Sequence, residues 1–471
     1  MWNPLAPAKD PWPIALALGQ EARRHGVFLH LPAHGRGRAW AGDRLRHQLP
    51  WKLDLPELPA LGGPLVSDGA IAASQQRLAN CVGAERSWYG VNGASGLLQA
   101  ALLGAVPPGG RVLLPRNHHR SLLHGCLLGN LEPIFYAPPF DQASGLAQPL
   151  PAQWLGQLLN QVGPIALLVL VSPTYQGFAA DLTALVAIAH GKGIAVLVDE
   201  AHGAHFSFAS NLPTAAVAAG ADLVVQSLHK ALGGLAQTAA LHLQGRRVQR
   251  EQLERALLWL QTSSTSALLL LSAEQAVARS SSAPGRCQLQ VCLKQAGDLA
   301  AALQREGVPL LQNQDPLRLI FHSARWGLSG IAADEWLMAR GIVAECPEAL
   351  TLTFCLGLAP VAPLSRPLRR GLRQLKRLQG SALPLRPLQA PPFPAVAQLQ
   401  LPLAEAWRLA SINLPLAEAE GRIAAETICP YPPGIALLLP GERLDRARID
   451  WLQQQLLLWG GQIADTVKVL A

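Results

Sequence analysis

The stretches IAVLVDEAHGAHF at residues 194–206 and DLVVQSLHK at residues 222–230 decide the fold of this chain. Each opens with a short apolar run rich in valine and leucine and ends on polar residues, a pattern typical of a buried parallel strand. Asp199 ends the first run, and Lys230 follows the second. Because parallel strands present their carboxyl ends at one edge of a sheet, the two stretches predict a carboxylate and an amine close together at that edge.

A lysine and a carboxylate in this arrangement are the side chains with which enzymes hold pyridoxal phosphate (PLP). The lysine forms a Schiff base, and the carboxylate pairs with the pyridinium nitrogen and keeps it protonated. A surface lysine that merely closes a strand is the ordinary alternative, but a buried lysine is rare unless it is functional or paired. Its combination with Asp199 favours the Schiff-base role for Lys230 and predicts PLP as the cofactor.

Short apolar runs alternate with helical patterns from about residue 60 to residue 270. This alternation predicts an α/β fold with a mostly parallel sheet in a large domain, followed by a smaller α+β C-terminal region. The predicted strands include RVLLP, PIFYAP, IALLVLVSP and AALHL, and the predicted helices include DLTALVAIAHGKG and LPTAAVAAGA, each closed by glycine. The predicted segments are an N-terminal arm (1–50, with one helix at 14–24), a large PLP-binding domain (51–275), a small α/β segment (276–381), a Pro-rich linker (382–395) and a C-terminal domain (396–471).

Composition limits the possible classes. The chain of 471 residues is half apolar and 15% charged, which indicates two or three well-packed domains and argues against disorder. Its net charge of +8 includes one dense basic stretch, RPLRRGLRQLKRL at 366–378, which predicts an amphipathic helix with a solvated basic face rather than a nucleic-acid site. Seven cysteines without metal-ligand spacing, and the lack of a signal peptide or long apolar run, predict a cytoplasmic protein with no metal, nucleic-acid or membrane partner.

The predicted phosphate site lies at 91–104, where VNGASGLLQAALLG places a glycine-rich turn before a helix. Backbone N–H groups at a helix start suit a phosphate dianion, although plain helix capping is the ordinary interpretation of such a turn. The candidate phosphate ligands are therefore Ala94, Ser95 and Gly96, with Ser227 and His229 as a second set beside the lysine.

Other residues near the two strands are candidates for contacts with the cofactor ring. PRNHHRSLLHG at 115–125 offers an imidazole that could stack on a pyridine ring. Strand alternation predicts that Ala201 points to the same side as Asp199, where a small side chain would leave room for the ring. His202 and His205 are equally compatible with the site and with a structural role.

Together these motifs resemble the bacterial ornithine/lysine/arginine decarboxylase family of fold type I PLP enzymes. The resemblance rests on VNGASG, PRNHHRS, SPTYQG at 172–177, VDEAHGAHF and QSLHK, followed by DPLRLIF, GLSG, GIVAE and PYPPG. It implies decarboxylation of a basic amino acid to an amine, as in polyamine biosynthesis, with ring stacking by His119 rather than His118. It also implies that Lys230 or His229 protonates the substrate carbon, and that the enzyme is a homodimer or a multiple of dimers. The candidate carboxylates for the cationic side chain are Glu345, Glu426 and Glu442.

Some motifs depart from the family pattern. HLPAHGRGR at 30–38 replaces a PGHK-x-G motif, Leu228 replaces threonine, and TSSTSALLLL at 262–271 lacks the proline and aromatic residue of STSPSY. The alternatives are an aminotransferase or another fold type I enzyme, or an inactive PLP-binding protein. The absence of arginine between Lys230 and Arg246 argues against an aminotransferase, and the intact set of Asp199, Lys230 and His119 argues against an inactive protein. The sequence does not choose among arginine, lysine and ornithine.

Overall fold

The computed structural model describes residues 12–25, 30–42, 47–379, 382–429, 435–458 and 464–471. The strands of these ranges are β1 (Arg86–Gly90), β2 (Arg111–Pro115), β3 (Glu132–Tyr136), β4 (Phe140–Asp141), β5 (Leu146–Ala147), β6 (Leu167–Val171), β7 (Ala195–Asp199), β8 (Leu223–Ser227), β9 (Ala239–Leu243), β10 (Leu310–Leu311), β11 (Arg318–Phe321), β12 (Cys346–Pro347), β13 (Leu352–Cys355), β14 (Val396–Gln398), β15 (Ser411–Pro415) and β16 (Thr466–Leu470).

The helices of the same ranges are α1 (Pro13–Arg23), α2 (Gly69–Val82), α3 (Gly93–Ala105), α4 (Arg120–Leu128), α5 (Ala152–Gln161), α6 (Leu182–Gly191), α7 (Leu228–Ala231), α8 (Arg250–Leu260), α9 (Ala267–Ser281), α10 (Ala283–Arg305), α11 (Gly330–Met338), α12 (Ala362–Gln379), α13 (Leu403–Ala406) and α14 (Arg446–Leu458). In the described part of the chain, none of them is long and apolar enough to cross a membrane.

The chain divides into two compact units, each assembled from separate stretches of sequence. The first unit comprises residues 1–105, 197–210 and 214–287, and the second comprises residues 106–196, 211–213 and 288–471. The five segments expected from the sequence stay a prediction.

In the first unit, the strands lie side by side in the order β1-β9-β8-β7. β7 and β8 run parallel, whereas β9 is antiparallel to both β8 and β1. Helix α3 packs on this sheet and against α8. Gly104 allows the close approach of these helices, because a Cβ atom there would lie 2.6 Å from the Leu253 Cα atom.

Helix α1, which the sequence predicts at 14–24, is confirmed and is fastened to the first unit by a buried carboxylate. Glu274 of α9 accepts the backbone N–H groups of Ile14 and Ala15, each at 2.8 Å. These N–H groups belong to the first turn and have no acceptor within their own helix, so the carboxylate caps the helix and opposes the positive end of its dipole.

In the second unit, one group of strands has the order β6-β2-β3-β14. β2 is parallel to both β6 and β3, and the short β14 adds an antiparallel edge. A separate antiparallel sheet has the order β10-β11-β13-β12, and β15 pairs with β16 near the end of the chain. The predicted α/β fold, with mostly parallel pairing followed by a smaller α+β region, is confirmed.

The segment around residues 216–220 and the Pro-rich stretch 382–395 differ in how well the sequence predicts them. The predicted helix LPTAAVAAGA is wrong, because the structure has a turn at 216–220 in its place. Pro213 and Gly220 leave few residues for a helix between them.

The Pro-rich stretch 382–395 has no regular structure, as predicted, yet it is anchored within the second unit. Leu388 is buried, and its N–H donates to the Gln142 carbonyl at 2.9 Å.

Candidate functional site

The carboxyl ends of β7 and β8 bring Asp199 and Lys230 to the same edge of the first unit. Asp199 is the last residue of β7 and lies opposite Val225 of β8, which ends at Ser227. The short helix α7 begins immediately afterwards and carries Lys230 in its single turn. Asp199 is only 6% exposed, so its carboxylate is withdrawn from water.

The Asp199 carboxylate is stabilised by the backbone N–H of Ala201 and by the positive charge of Lys230. Its Oδ1 atom accepts the Ala201 N–H at 3.1 Å. Burial raises the pKa of the Asp199 carboxyl, whereas the Ala201 N–H and the charge of Lys230 act to lower it. A buried carboxylate of this kind is stabilised by a cationic N–H partner, and a protonated pyridine nitrogen is such a partner. The donor set therefore fits PLP.

Ala201 reaches the site by a different route from the one predicted. β7 ends at Asp199, so strand alternation does not extend to position 201, and the alternation argument is wrong. Ala201 instead begins the turn after the strand, and its N–H orients the carboxylate. Its predicted role beneath the cofactor ring stays a prediction.

Lys230 is accompanied by two histidines of the first unit. Its Nζ atom lies 3.1 Å from His202 Nε2, which brings a residue of the VDEAH motif to the predicted Schiff-base lysine. His229 Nδ1 lies 3.1 Å from the Thr238 carbonyl oxygen. A carbonyl only accepts, so His229 donates from Nδ1 in this hydrogen bond, and Nε2 is the ring nitrogen left to exchange a proton. His205, the other ambiguous histidine, is 1% exposed.

The predicted phosphate ligands open helix α3. Gly93 has φ +70°, a conformation that favours glycine, and its N–H donates to the Gln237 carbonyl at 2.8 Å. Gln237 itself has φ +77°, which is uncommon for a residue with a side chain and costs free energy. The following N–H groups, those of residues 94–96, lie in the first turn, where a helix provides no acceptor of its own.

A buried polar chain lies behind this edge, and sequence reasoning missed it. Glu200 accepts the Ala216 N–H and the Gln226 side-chain N–H, both at 2.7 Å. The Gln226 amide oxygen lies 3.1 Å from His242 Nε2, and His242 Nδ1 lies 2.7 Å from the Ser87 hydroxyl. With this amide orientation, His242 donates from Nε2 and accepts at Nδ1, so the chain links Glu200, the residue after β7, to β8, β9 and β1 without a break.

The polar chain has an electrostatic cost that its hydrogen bonds offset. Burial raises the pKa of Glu200 to about 8, although Gln226 and Ala216 act to lower it, and burial lowers the pKa of His242 to about 3. The signal in the sequence was a polar residue inside each otherwise apolar strand, as in LVVQS and AALHL.

His119 and the three candidate substrate carboxylates belong to the second unit. His119 caps helix α4 and is exposed; its Nδ1 atom lies 2.8 Å from the Ser121 hydroxyl. The neighbouring His118 is held differently, since its Nδ1 donates to the Pro115 carbonyl at 2.7 Å and its ring stacks on Phe135. Burial lowers the pKa of His118 to about 4, which keeps that ring neutral.

Glu345 is exposed and accepts the Tyr175 hydroxyl. Burial, followed by this hydrogen bond, raises the pKa of Tyr175, so the phenol keeps its proton and remains a donor. The adjacent Gln176 donates to Glu348 at 3.0 Å. The SPTYQG motif and the segment after GIVA are therefore joined by two side-chain contacts within the second unit.

The other two candidate carboxylates have contrasting surroundings. Glu426 is exposed and accepts the Lys468 N–H at 3.2 Å. Glu442 is 2% exposed and forms a two-pronged ion pair with Arg116 of the PRNHHRS motif, one prong at 2.7 Å. This pairing satisfies both oxygens of Glu442 and favours a structural role for it. The PYPPG motif (430–434) lies outside the described residues.

Two family models match most of this chain. The family model "Orn/Lys/Arg decarboxylase, major domain" matches residues 12–336, and "Orn/Lys/Arg decarboxylase, C-terminal domain" matches residues 398–457. The arginine decarboxylase of Bacillus subtilis is 28% identical over 94% of this chain and 93% of its own length.

Solved structures agree in fold. Lysine decarboxylase A from Pseudomonas aeruginosa matches with a TM-score of 0.84 at 19% identity, over 98% of this chain and 80% of that one. Serine palmitoyltransferase from Sphingomonas wittichii matches with a TM-score of 0.52 at 18% identity, over 65% of this chain and 76% of that one. The edge that carries Asp199 and Lys230, the fold and the two family models lead to one conclusion: the chain belongs to the Orn/Lys/Arg decarboxylase family.

Proposed function

We propose that this protein is a PLP-dependent carboxy-lyase that converts arginine, lysine or ornithine into the corresponding amine and CO2. The observation that carries the proposal is the placement of Asp199 and Lys230 at the ends of adjacent parallel strands in a chain of this family. The names of the curated relatives, which include arginine and lysine decarboxylases, support the substrate class.

PLP, when bound, supplies a ring that accepts the electron pair released as the carboxylate leaves. Asp199 has one task in this reaction, which is to hold a proton on the ring nitrogen. Its burial excludes water from that hydrogen bond, and the Ala201 N–H fixes the orientation of the carboxylate. A fixed buried carboxylate stabilises the adjacent positive charge more strongly than a solvated one would.

Lys230 would hold the cofactor as a Schiff base, and His202 and His229 are the histidines that could move protons beside it. The Lys230 amine is within hydrogen-bonding distance of His202 Nε2, so a proton can pass between the two groups. His229 has its Nδ1 proton directed to the Thr238 carbonyl, which leaves Nε2 as the atom that accepts or returns a proton. Either Lys230 or His229 can return a proton to the substrate carbon.

The carboxylate that binds the cationic substrate side chain stays a prediction. A cationic substrate side chain requires an anionic partner, and the exposed Glu345 and Glu426 are available for this task. The Tyr175 hydroxyl would orient the Glu345 carboxylate. Ring stacking by His119, phosphate binding by residues 94–96 and Ser227, a homodimeric assembly and a cytoplasmic location stay predictions.

The test is amine formation by the purified protein with PLP, offered arginine, lysine and ornithine separately. Agmatine, cadaverine or putrescine with equimolar CO2 is the expected product, and its identity names the substrate. Lys230→Ala is expected to abolish both turnover and the visible absorbance of the lysine-bound cofactor, while Lys192→Ala is the matched control at an exposed lysine. Normal turnover by Lys230→Ala, or a keto acid in place of an amine, would refute the proposal.

A further inference from the structure

Helix α12 concentrates positive charge without internal compensation. Its 18 residues include no aspartate or glutamate, and its basic residues are Arg366, Arg369, Arg370, Arg373, Lys376 and Arg377. Residues three or four positions apart are neighbours on a helix, so several of these side chains face a like charge. Such like-charge pairs destabilise a helix. A basic face that is merely solvated would not need its arginine side chains to meet around a single cavity.

The arginines of α12 do converge on a cavity of about 830 Å³ in the second unit. Arg366, Arg369, Arg370 and Arg373 line it from the helix, and Arg340 lines it from the segment after α11. Among the described residues that line the cavity, none is acidic. Its volume is that of a small-molecule site, which typically spans roughly 300–1,000 Å³.

The guanidinium groups of Arg369 and Arg340 are held in place by other residues of the second unit. Arg369 donates from Nε to Glu306 Oε1 at 2.8 Å, and Arg373 lies 3.8 Å from the same carboxylate. Arg340 lies over the Trp336 ring, 3.7 Å from its centroid, and donates to the Trp336 carbonyl at 3.0 Å. Glu306 therefore pairs with Arg369 and lies near Arg373, and Trp336 orients Arg340, so the orientation of the Arg369 and Arg340 guanidinium groups is set before any ligand arrives.

A glycine allows the two walls of the cavity to approach each other. Gly371 is buried on α12, and a Cβ atom there would lie 2.5 Å from Ile342 Cδ1. Ile342 and Gly371 both line the cavity, so a larger residue at 371 would force the end of the Ile342 side chain to move. Close packing at this point therefore keeps arginines from two elements around one space.

We propose that this cavity binds a small anion with two or more phosphate groups. Guanidinium groups match phosphate oxygens in two-pronged hydrogen bonds, and an anion with several charges relieves the repulsion among neighbouring arginines. A single-stranded nucleic acid is less suited, because the lining residues include no aromatic side chain on which bases could stack. No residue of the Asp199–Lys230 edge lines the cavity, so the proposal does not depend on the proposed reaction.

The test uses the full-length protein saturated with PLP, so that its own phosphate site is filled, and titrates inorganic tripolyphosphate by calorimetry at fixed ionic strength. The wild type should bind one anion per chain. Arg366→Gln/Arg370→Gln should weaken binding by at least about tenfold, because charge-assisted hydrogen bonds are lost. The control, Arg255→Gln/Arg279→Gln, removes the same charge from exposed positions on α8 and α9 and should change the affinity by less than about twofold.

A nucleoside triphosphate and a short single-stranded oligonucleotide are titrated in the same way and compared with tripolyphosphate. A nucleoside triphosphate that binds as tightly as tripolyphosphate, with the same dependence on Arg366 and Arg370, would support a site that reads phosphates alone. Absence of saturable binding, or an equal loss in both double variants, would overturn the proposal. Tighter binding of a short single-stranded oligonucleotide through the same arginines would also overturn it, in favour of a nucleic-acid surface.

Discussion

Replacing Glu442 by alanine should destabilise the protein strongly without changing its affinity for the amino-acid substrate. The Glu442 carboxylate accepts two prongs from Arg116 and the Leu439 N–H at 2.9 Å, and Arg448 lies 3.6 Å away. Arg116 is 1% exposed and lies between the rings of Phe135 and Phe393, each 5.2 Å from its guanidinium carbon. Without Glu442, this guanidinium would remain in an apolar environment with no carboxylate against it.

The magnitude follows from that burial. Removing one partner of a buried ion pair costs about 3–5 kcal/mol, because the other charge stays desolvated. Replacing both partners by apolar residues, as in Arg116→Met/Glu442→Leu, should recover most of this loss, since no unpaired charge is left. Glu420→Ala is the matched control, because its pair with Arg446 is exposed at both ends and such pairs contribute about 0–1 kcal/mol.

The assay is urea unfolding followed by tryptophan fluorescence, together with steady-state kinetics on the substrate identified by product analysis. We expect a large fall in the unfolding midpoint for Glu442→Ala and an unchanged KM for the protein that remains folded. The opposite result, a midpoint near that of the wild type with KM raised at least about tenfold, would refute the reasoning. It would restore Glu442 as a ligand of the substrate side chain, as the sequence alone suggested.

Three further variants test the first unit. Asp199→Asn should retain PLP but lower kcat severely, because an amide does not hold the ring proton; near-normal turnover would assign that task to another group. The folded pKa of Glu200 is about 8, above its ordinary 4.5, so its stabilising contribution is full below about pH 4.5 and is lost as the pH rises through 8. Glu200→Gln should therefore flatten the dependence of the unfolding midpoint on pH, and an unchanged slope would contradict this. Gly104→Ala should destabilise by about 1–3 kcal/mol, because the new Cβ meets Leu253, whereas Gly156→Ala, with open space around it, should be neutral or stabilising in thermal unfolding. Equal melting temperatures for these two variants would argue against close packing of α3 on α8.

Much of the fold was accessible from local patterns. The runs that end at Asp199 and Ser227 predict β7 and β8, since buried strands are short, apolar and bounded by polar residues. Such patterns fail where a distant group intervenes. LPTAAVAAGA has the composition of a helix but forms a turn, and the Ala216 N–H of that turn donates to the buried Glu200.

The sequence by itself determined the family, the parallel pairing of β7 with β8 and the edge at which Asp199 and Lys230 lie. These follow from residues close together in the chain, whose periodicity and order are visible without coordinates. Only the tertiary structure decided the partners of distant charges, such as the pairing of Glu442 with Arg116. It also decided that the arginines of α12 and Arg340 surround one cavity. The physical reason is that ion pairs and cavities depend on distances between chain segments, and those distances are set by how the apolar faces pack.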